Sequence, residues 1–281
     1  MDLKSKLFFD NDEVDNLIFD HMGFEALVTT ATLHWFVPLL FLLMALLYSS
    51  VGFGGGSSYL AILALSGIAF TQIRSTALVC NIAVVLGNVV LFYRKDLYEW
   101  KKVLLLTIFS IPMAFLGGYL KISQSFFFIL LGFTLLFAAL TMWTYKHNDS
   151  QRQTKKNNNL VLNLSYGGII GFISGMVGIG GGIFLAPLLH LKKWDTPKRI
   201  AAIASLFILV NSISGLTGQI LNPSFYIDWG FTGILLMTVF IGGQIGSRVG
   251  YKFLSPAQLR KATAILITYV GIRILLSNLP W

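Results

Sequence analysis

From residue 36 onward the chain alternates long apolar runs with short charged breaks. A helix crossing a ~30 Å hydrocarbon core needs about 20 apolar residues. Runs bounded by charges give five segments in the first half: Phe36 to Val51, Tyr59 to Ile68, Ile73 to Tyr93, Val103 to Leu120 and Ser125 to Tyr145. The second half repeats the order with Val161 to Val177, Phe184 to Leu191, Ile200 to Ile220, Gly230 to Ser247 and Ala257 to Leu276. The second run of each half is short, and at 1.5 Å per residue it reaches only about half of the core. The pattern predicts an all-α polytopic membrane protein of two homologous halves, each with a glycine-broken hairpin plus three transmembrane helices. It divides the chain into an acidic tail (1–34), a first transmembrane repeat (35–145), a polar basic cytoplasmic linker (146–160) and a second repeat (161–281).

Composition agrees. Of 281 residues, 55% are hydrophobic and 12% charged, with a mean hydropathy of +0.73. A soluble domain has about a quarter of its residues charged, so an aqueous globular protein, a disordered chain and a nucleic-acid binder are all disfavoured. The lone Cys80 lies in an apolar run and reads as a packing residue, and the four histidines show no metal spacing. No metal or cofactor is expected. The partners are the lipid bilayer and a small anionic substrate; the oligomeric state cannot be read from the sequence.

Charge then sets orientation. Basic residues outnumber acidic ones 21 to 12, and most of them fall in four stretches at 94–102, 146–156, 192–199 and 248–261. Cytoplasmic loops carry the excess of Lys and Arg. All four stretches share that side of a plasma membrane only if the run before each glycine break and the short run after it return to the same face. The halves are then inverted relative to each other, with both termini outside. The alternative, in which each broken helix crosses once, puts basic loops on both faces. The acidic tail is no secretory signal, and its Val14, Leu17, Ile18 and Met22 predict a short amphipathic surface helix.

The candidate chemistry centres on two glycine knots, Gly52-Phe53-Gly54-Gly55-Gly56 and Gly178-Ile179-Gly180-Gly181-Gly182. Irregular backbone at bilayer depth survives only where protein buries it or where it lines a cavity. A half-helix leaving each knot starts with unpaired N–H groups and a positive dipole end, which favour an anion. In the inverted arrangement the two N-termini meet near the midplane. Ser57 and Ser58 add hydroxyl donors in the first half, where Ile183 and Phe184 stand in the second. The alternative use of glycine is close helix packing, expected for Gly167, Gly171 and Gly175 and for Gly242, Gly246 and Gly250.

The run after each half-helix carries polar residues every seven positions, which keeps them on one face: Arg74, Asn81 and Asn88, then Lys198, Ser205, Ser212 and Gln219. With Asn211 and Gln244 these can donate to oxyanion oxygens or bond other helices. Arg74 and Arg199 each open such a run and are candidates for charges at the two mouths of a pathway, or for headgroup anchors. After the tail, the acidic residues all lie in predicted loops, which disfavours coupling through a buried carboxylate. A monoanion leaving a cell at −100 mV gains about 2.3 kcal/mol, so potential alone can drive export.

Together the paired knots, the short runs after them, the duplicated halves and the linker resemble the TauE/SafE-type sulfite exporter family. The stretches that carry the resemblance are GFGGGSSYLAILALSGI (52–68) and GMVGIGGGIFLAPLLHL (175–191). It implies a plasma-membrane transporter that moves small sulfur-containing anions such as sulfite, thiosulfate or organosulfonates, commonly outward. An anion channel, or a facilitator of other small anions, is the alternative. A membrane serine hydrolase using Ser57 or Ser58 lacks a nearby general base.

Overall fold

The structure, a computed structural model, describes residues 35–144, 160–192, 194–223, 225–249 and 256–278. The acidic tail with its expected surface helix, and linker residues 146–159, lie outside these residues.

Among the described residues the first half forms α1 (Phe36–Ser50), α2 (Gly56–Leu65), α3 (Phe70–Arg94), α4 (Trp100–Tyr119) and α5 (Gln124–Thr144). The second forms α6 (Leu160–Val177), α7 (Gly182–Leu191), α8 (Pro197–Ile220), α9 (Trp229–Val249) and α10 (Pro256–Asn278). Each helix lies within a few residues of a predicted run. Five of them, α3, α4, α5, α8 and α9, are long and apolar enough to cross a membrane. Large apolar side chains such as Leu104, Ile108, Phe133, Phe137, Met237 and Phe240 face outward, while Ser58, Thr76, Asn81, Ser205, Asn211 and Ser212 are buried. An apolar exterior around a largely apolar core that also holds these polar groups suits a protein whose solvent is lipid. Exposed Trp35, Trp100, Trp143 and Trp229 stand at or next to helix ends, where indole rings match the headgroup layer.

The halves are interlocked. Leu106, Ser110 and Ala114 of α4 lie beside Gly167, Gly171 and Gly175 of α6, so these helices run parallel. A Cβ on any of the three glycines would strike the backbone carbonyl opposite. Gly242 and Gly246 of α9 meet Leu42 and Leu46 of α1 in the same way. These five glycines keep the predicted four-residue spacing, Gly250 lying outside the described residues, and the close approach is what small residues provide between membrane helices.

Further, α4 packs on α8 and α9 packs on α3, while α3 pairs with α8 and α5 with α10. The last two pairs are antiparallel: Ser75 meets Gln219 and Asn81 meets Ser212, and Gly132 and Leu136 meet Leu275 and Gly271. Exchanging every helix with its counterpart five elements away preserves these main packing pairs. Each half sends its fourth helix into the other, and the α3/α8 pair crosses the middle.

Candidate anion site at the glycine knots

Each knot begins with a helix stop. Gly52 has φ +89°, its N–H donates to the Ser49 carbonyl at 3.0 Å, and the Phe53 N–H donates to Tyr48 at 2.9 Å. Gly178 also has φ +89°, with its own N–H and that of Ile179 donating to Ser174 at 2.7 and 3.3 Å. These left-handed turns satisfy the orphan carbonyls at a helix end, and glycine takes them without a Cβ penalty. The chain then resumes as α2 and α7. The knots differ beyond that point: Gly180 and Gly181 are left-handed (φ +83° and +82°), whereas Gly55 has φ −95°.

The two knots meet at Asn81 of α3. Its Nδ2 donates to the Ile179 carbonyl at 3.2 Å and to Ser212 Oγ at 3.1 Å. A Cβ on Gly54 would strike Asn81 Oδ1, one on Gly180 would strike Asn81 Nδ2, and one on Gly56 would strike the Ile179 carbonyl. So Gly54, Gly56, Gly180, Asn81 and Ser212 converge where α2 and α7 both begin. The first N–H groups of each helix have no preceding turn to accept them, and both dipoles present their positive ends here. Asn81 Oδ1, an acceptor, is buried without a partner, which costs about 1–3 kcal/mol.

The remaining candidates surround this centre at varying distance. Gly55 lies against Tyr59, Gly181 against Phe207 and Ile170, Gly182 against Ile208, and Gly52 against Phe92 and Ala201. Ser57 is buried, and Ser58 pairs with the Tyr48 hydroxyl at 3.0 Å. Asn211 donates to Phe207 in its own helix at 2.8 Å. Ser205 bonds Ala202 at 2.7 Å and Tyr98 at 3.3 Å, and Gln244 packs beside Gly87, so neither joins the knots.

What the seven-residue stripes form is a seam. On antiparallel α3 and α8, Ser75 donates to Gln219 Oε1 at 3.1 Å, Asn81 bonds Ser212 in the middle, and Asn88 and Ser205 lie toward the far end. There Asn88 donates to the Phe53 carbonyl at 3.4 Å and accepts from Ser49 at 3.2 Å. Seven residues of helix rise about 10 Å, so the polar rungs cross the molecule.

The profile of the family described as "Sulfite exporter TauE/SafE" matches residues 37–274. This chain belongs to the TauE/SafE family. A probable membrane transporter protein of Sinorhizobium fredii is 32% identical over 245 residues, covering 85% of this chain and 97% of its own length. One from Bacillus subtilis is 27% identical over 256 residues, covering 85% and 98%. One from Methanocaldococcus jannaschii is 28% identical over 191 residues, covering 63% and 69%. No solved structure matches the chain. The protein is a multi-pass membrane transporter of the TauE/SafE family.

In this TauE/SafE chain the two arginines differ in their surroundings. Arg74 is only 7% exposed, and its Nη2 lies 3.3–3.5 Å from the carbonyls of Gly175, Gly117 and Gly118. The last two are in the final turn of α4, whose carbonyls lack intrahelical donors and attract a cation. Arg199 is exposed, 3.7 Å from Glu99 and 4.0 Å from Asp195, and Lys102 bridges the same carboxylates at 2.8 Å. Burial raises the Asp195 pKa, but hydrogen bonds from Lys102 and the Thr196 N–H, with the nearby positive charges, hold it below 3.8. This cluster joins the basic stretches 94–102 and 192–199 at one end of the bundle. Sequence reasoning missed Lys121, Ser75 and Asn222, which share a cavity with Arg74. Ser75 falls one residue off the stripe, and the other two lie just beyond helix ends.

Proposed function

We propose that this TauE/SafE transporter exports small sulfur-containing anions, such as sulfite, thiosulfate or an organosulfonate, across the plasma membrane. The observation that carries the reading is the convergence of both knots, and so of two helix N-termini, on Asn81 and Ser212. A small oxyanion there meets the backbone amides of two helix starts and the Ser212 hydroxyl, while Asn81, its N–H groups spent on Ile179 and Ser212, ties the knots together. Such neutral donors hold an anion without the tight binding that a buried cation would impose, which suits a site that must also release.

The halves are inverted in this reading, with both termini outside. The antiparallel α3/α8 and α5/α10 pairs support that arrangement, because the exchange axis relating the halves then lies across these helices. Lys192, just past α7, lies 3.8 Å over the Tyr166 ring near the start of α6, which supports a re-entrant hairpin. The ion pairs between residues 99–102 and 195–199 support a common cytoplasmic side for two basic stretches.

The test is efflux from liposomes holding the purified full-length protein and loaded in turn with sulfite, thiosulfate, taurine or sulfoacetate. The reading expects saturable flux of at least one sulfur anion, faster under an inside-negative potential. Flux no greater than that of empty liposomes for all four, or equal flux of chloride, contradicts it.

A further inference from the structure

Near Phe70 the seam ends in a cavity of about 70 Å³. One water needs roughly 10–15 Å³ of such space, so it accepts about five non-hydrogen atoms, the size of a single tetrahedral oxyanion group. Its polar lining includes Arg74, Ser75, Lys121, Gln219 and Asn222, and among the described residues no acidic one lines it.

Two lining residues carry surplus donors. Gln219 is 4% exposed; its Oε1 accepts from Ser75, and its Nε2 is buried without a partner. Arg74 is held by Nη2 against three carbonyls, and its Nε is likewise buried and unpartnered. Two fixed side chains, each with an unused N–H, line a small space that also holds a second cation. Acceptors with negative charge satisfy that set, and cations do not.

We propose that this cavity is a second anion site, a vestibule that binds one small oxyanion group of the sulfonate or sulfite type. Arg74 stands seven residues from Asn81 on the same face of α3, about 10 Å along the helix. The Arg74 backbone also borders the second knot, where a Cβ on Gly178 would lie 3.2 Å from its carbonyl oxygen. The anion binding stands independently of the transport reading. The vestibule's role as the outer mouth, where an exported anion pauses before release, rests on that reading.

The experiment titrates purified full-length protein with sodium sulfate and sodium sulfite by calorimetry, with sodium chloride as the ionic control. Gln219→Leu keeps the side-chain volume and removes the donor; it is expected to weaken binding about tenfold. Lys121→Gln, at an exposed position, is expected to weaken it about threefold and to flatten its salt dependence. Arg74→Met is expected to abolish binding, but it also uncaps α4, so the first two variants decide. Asn81→Leu should leave vestibule binding in place. No sulfate or sulfite binding by the wild type, unchanged affinity in both Gln219→Leu and Lys121→Gln, or complete loss in Asn81→Leu overturns the proposal. Binding that falls in Gln219→Leu, in a protein that transports no sulfur anion, upholds the vestibule and sinks the transport reading.

Discussion

The two ends of the α3/α8 seam occupy equivalent places in the repeat and carry opposite chemistry. Helices α3 and α8 start 127 residues apart, at Phe70 and Pro197. On that offset Ala201 replaces Arg74 and Phe92 replaces Gln219. The knots follow the same correspondence, since Gly178 abuts Arg74 and Gly52 abuts Ala201. At the Arg74 end the result is a polar cavity with two cations. At the Phe92 end, Phe92 and Phe53 pack with Val89, Tyr98, Ala202 and Ile203 in an apolar cluster. Both halves have the same backbone device, a glycine stop and a restarted helix, and the side chains at single positions differ between the two ends. A small anion therefore meets cations and spare N–H donors at one end and packed apolar side chains at the other.

The largest expected effect comes from the middle that both ends share. Gly180→Leu forces a side chain into a left-handed position, at ~1–2 kcal/mol, and drives it into Asn81 and Ser212. Sulfite flux in liposomes should fall more than a hundredfold; flux within twofold of wild type, at equal protein incorporation, means the ends do not communicate through the knots. Gly181→Leu should behave alike, because its Cβ would lie 2.8 Å from Phe207.

Next in size is the apolar end. Phe92→Ala removes the ring that covers Gly52, where a Cβ would lie 2.7 Å from it. If the ring is the closed gate, initial efflux should rise several-fold, at a stability cost of about 1–3 kcal/mol for a half-buried aromatic. An unchanged or lower rate in a protein with normal thermal stability would show that the polar and apolar ends do not differ in access.

The smallest effect belongs to the loops beside the apolar end. Asp195→Asn removes the carboxylate shared by Lys102 and Arg199 and should cost about 1 kcal/mol, a melting shift of roughly 2–4 °C. The folded-state pKa of Asp195 is lowered, so its contribution is present above the unfolded value and is lost as pH falls below about 4. The difference between Asp195→Asn and wild-type melting temperatures should therefore shrink between pH 6 and pH 3. A constant difference would assign the cluster no charge-dependent role.

Much of this was legible in sequence because the signals are local. Apolar runs marked all ten helices of the described residues, glycines marked the stops of α1 and α6, and seven-residue spacing put Arg74, Asn81 and Asn88 on one face. Spacing says which residues share a face but not what stands opposite. So the packing of α4 on α6 and α8 was not visible, because those contacts join positions far apart in the chain. Nor was the carbonyl nest around Arg74, which draws on α4 and α6 together. The sequence offered Arg199 as a mouth charge or a headgroup anchor and did not show its acidic partners, Glu99 and Asp195, which look there like ordinary loop residues. Ser57 and Ser58 were expected to supply donors, yet Ser58 bonds Tyr48 and the bridging donor is Asn81.

The central claim is that anions pass through the meeting point of the two knots. Sulfite efflux from liposomes should be compared between wild type and Asn81→Leu, with incorporation and thermal stability matched. Asn81→Leu removes the carboxamide that joins Ile179 to Ser212, and the account predicts a fall in maximal rate of at least tenfold. A maximal rate equal to that of the wild type would contradict it.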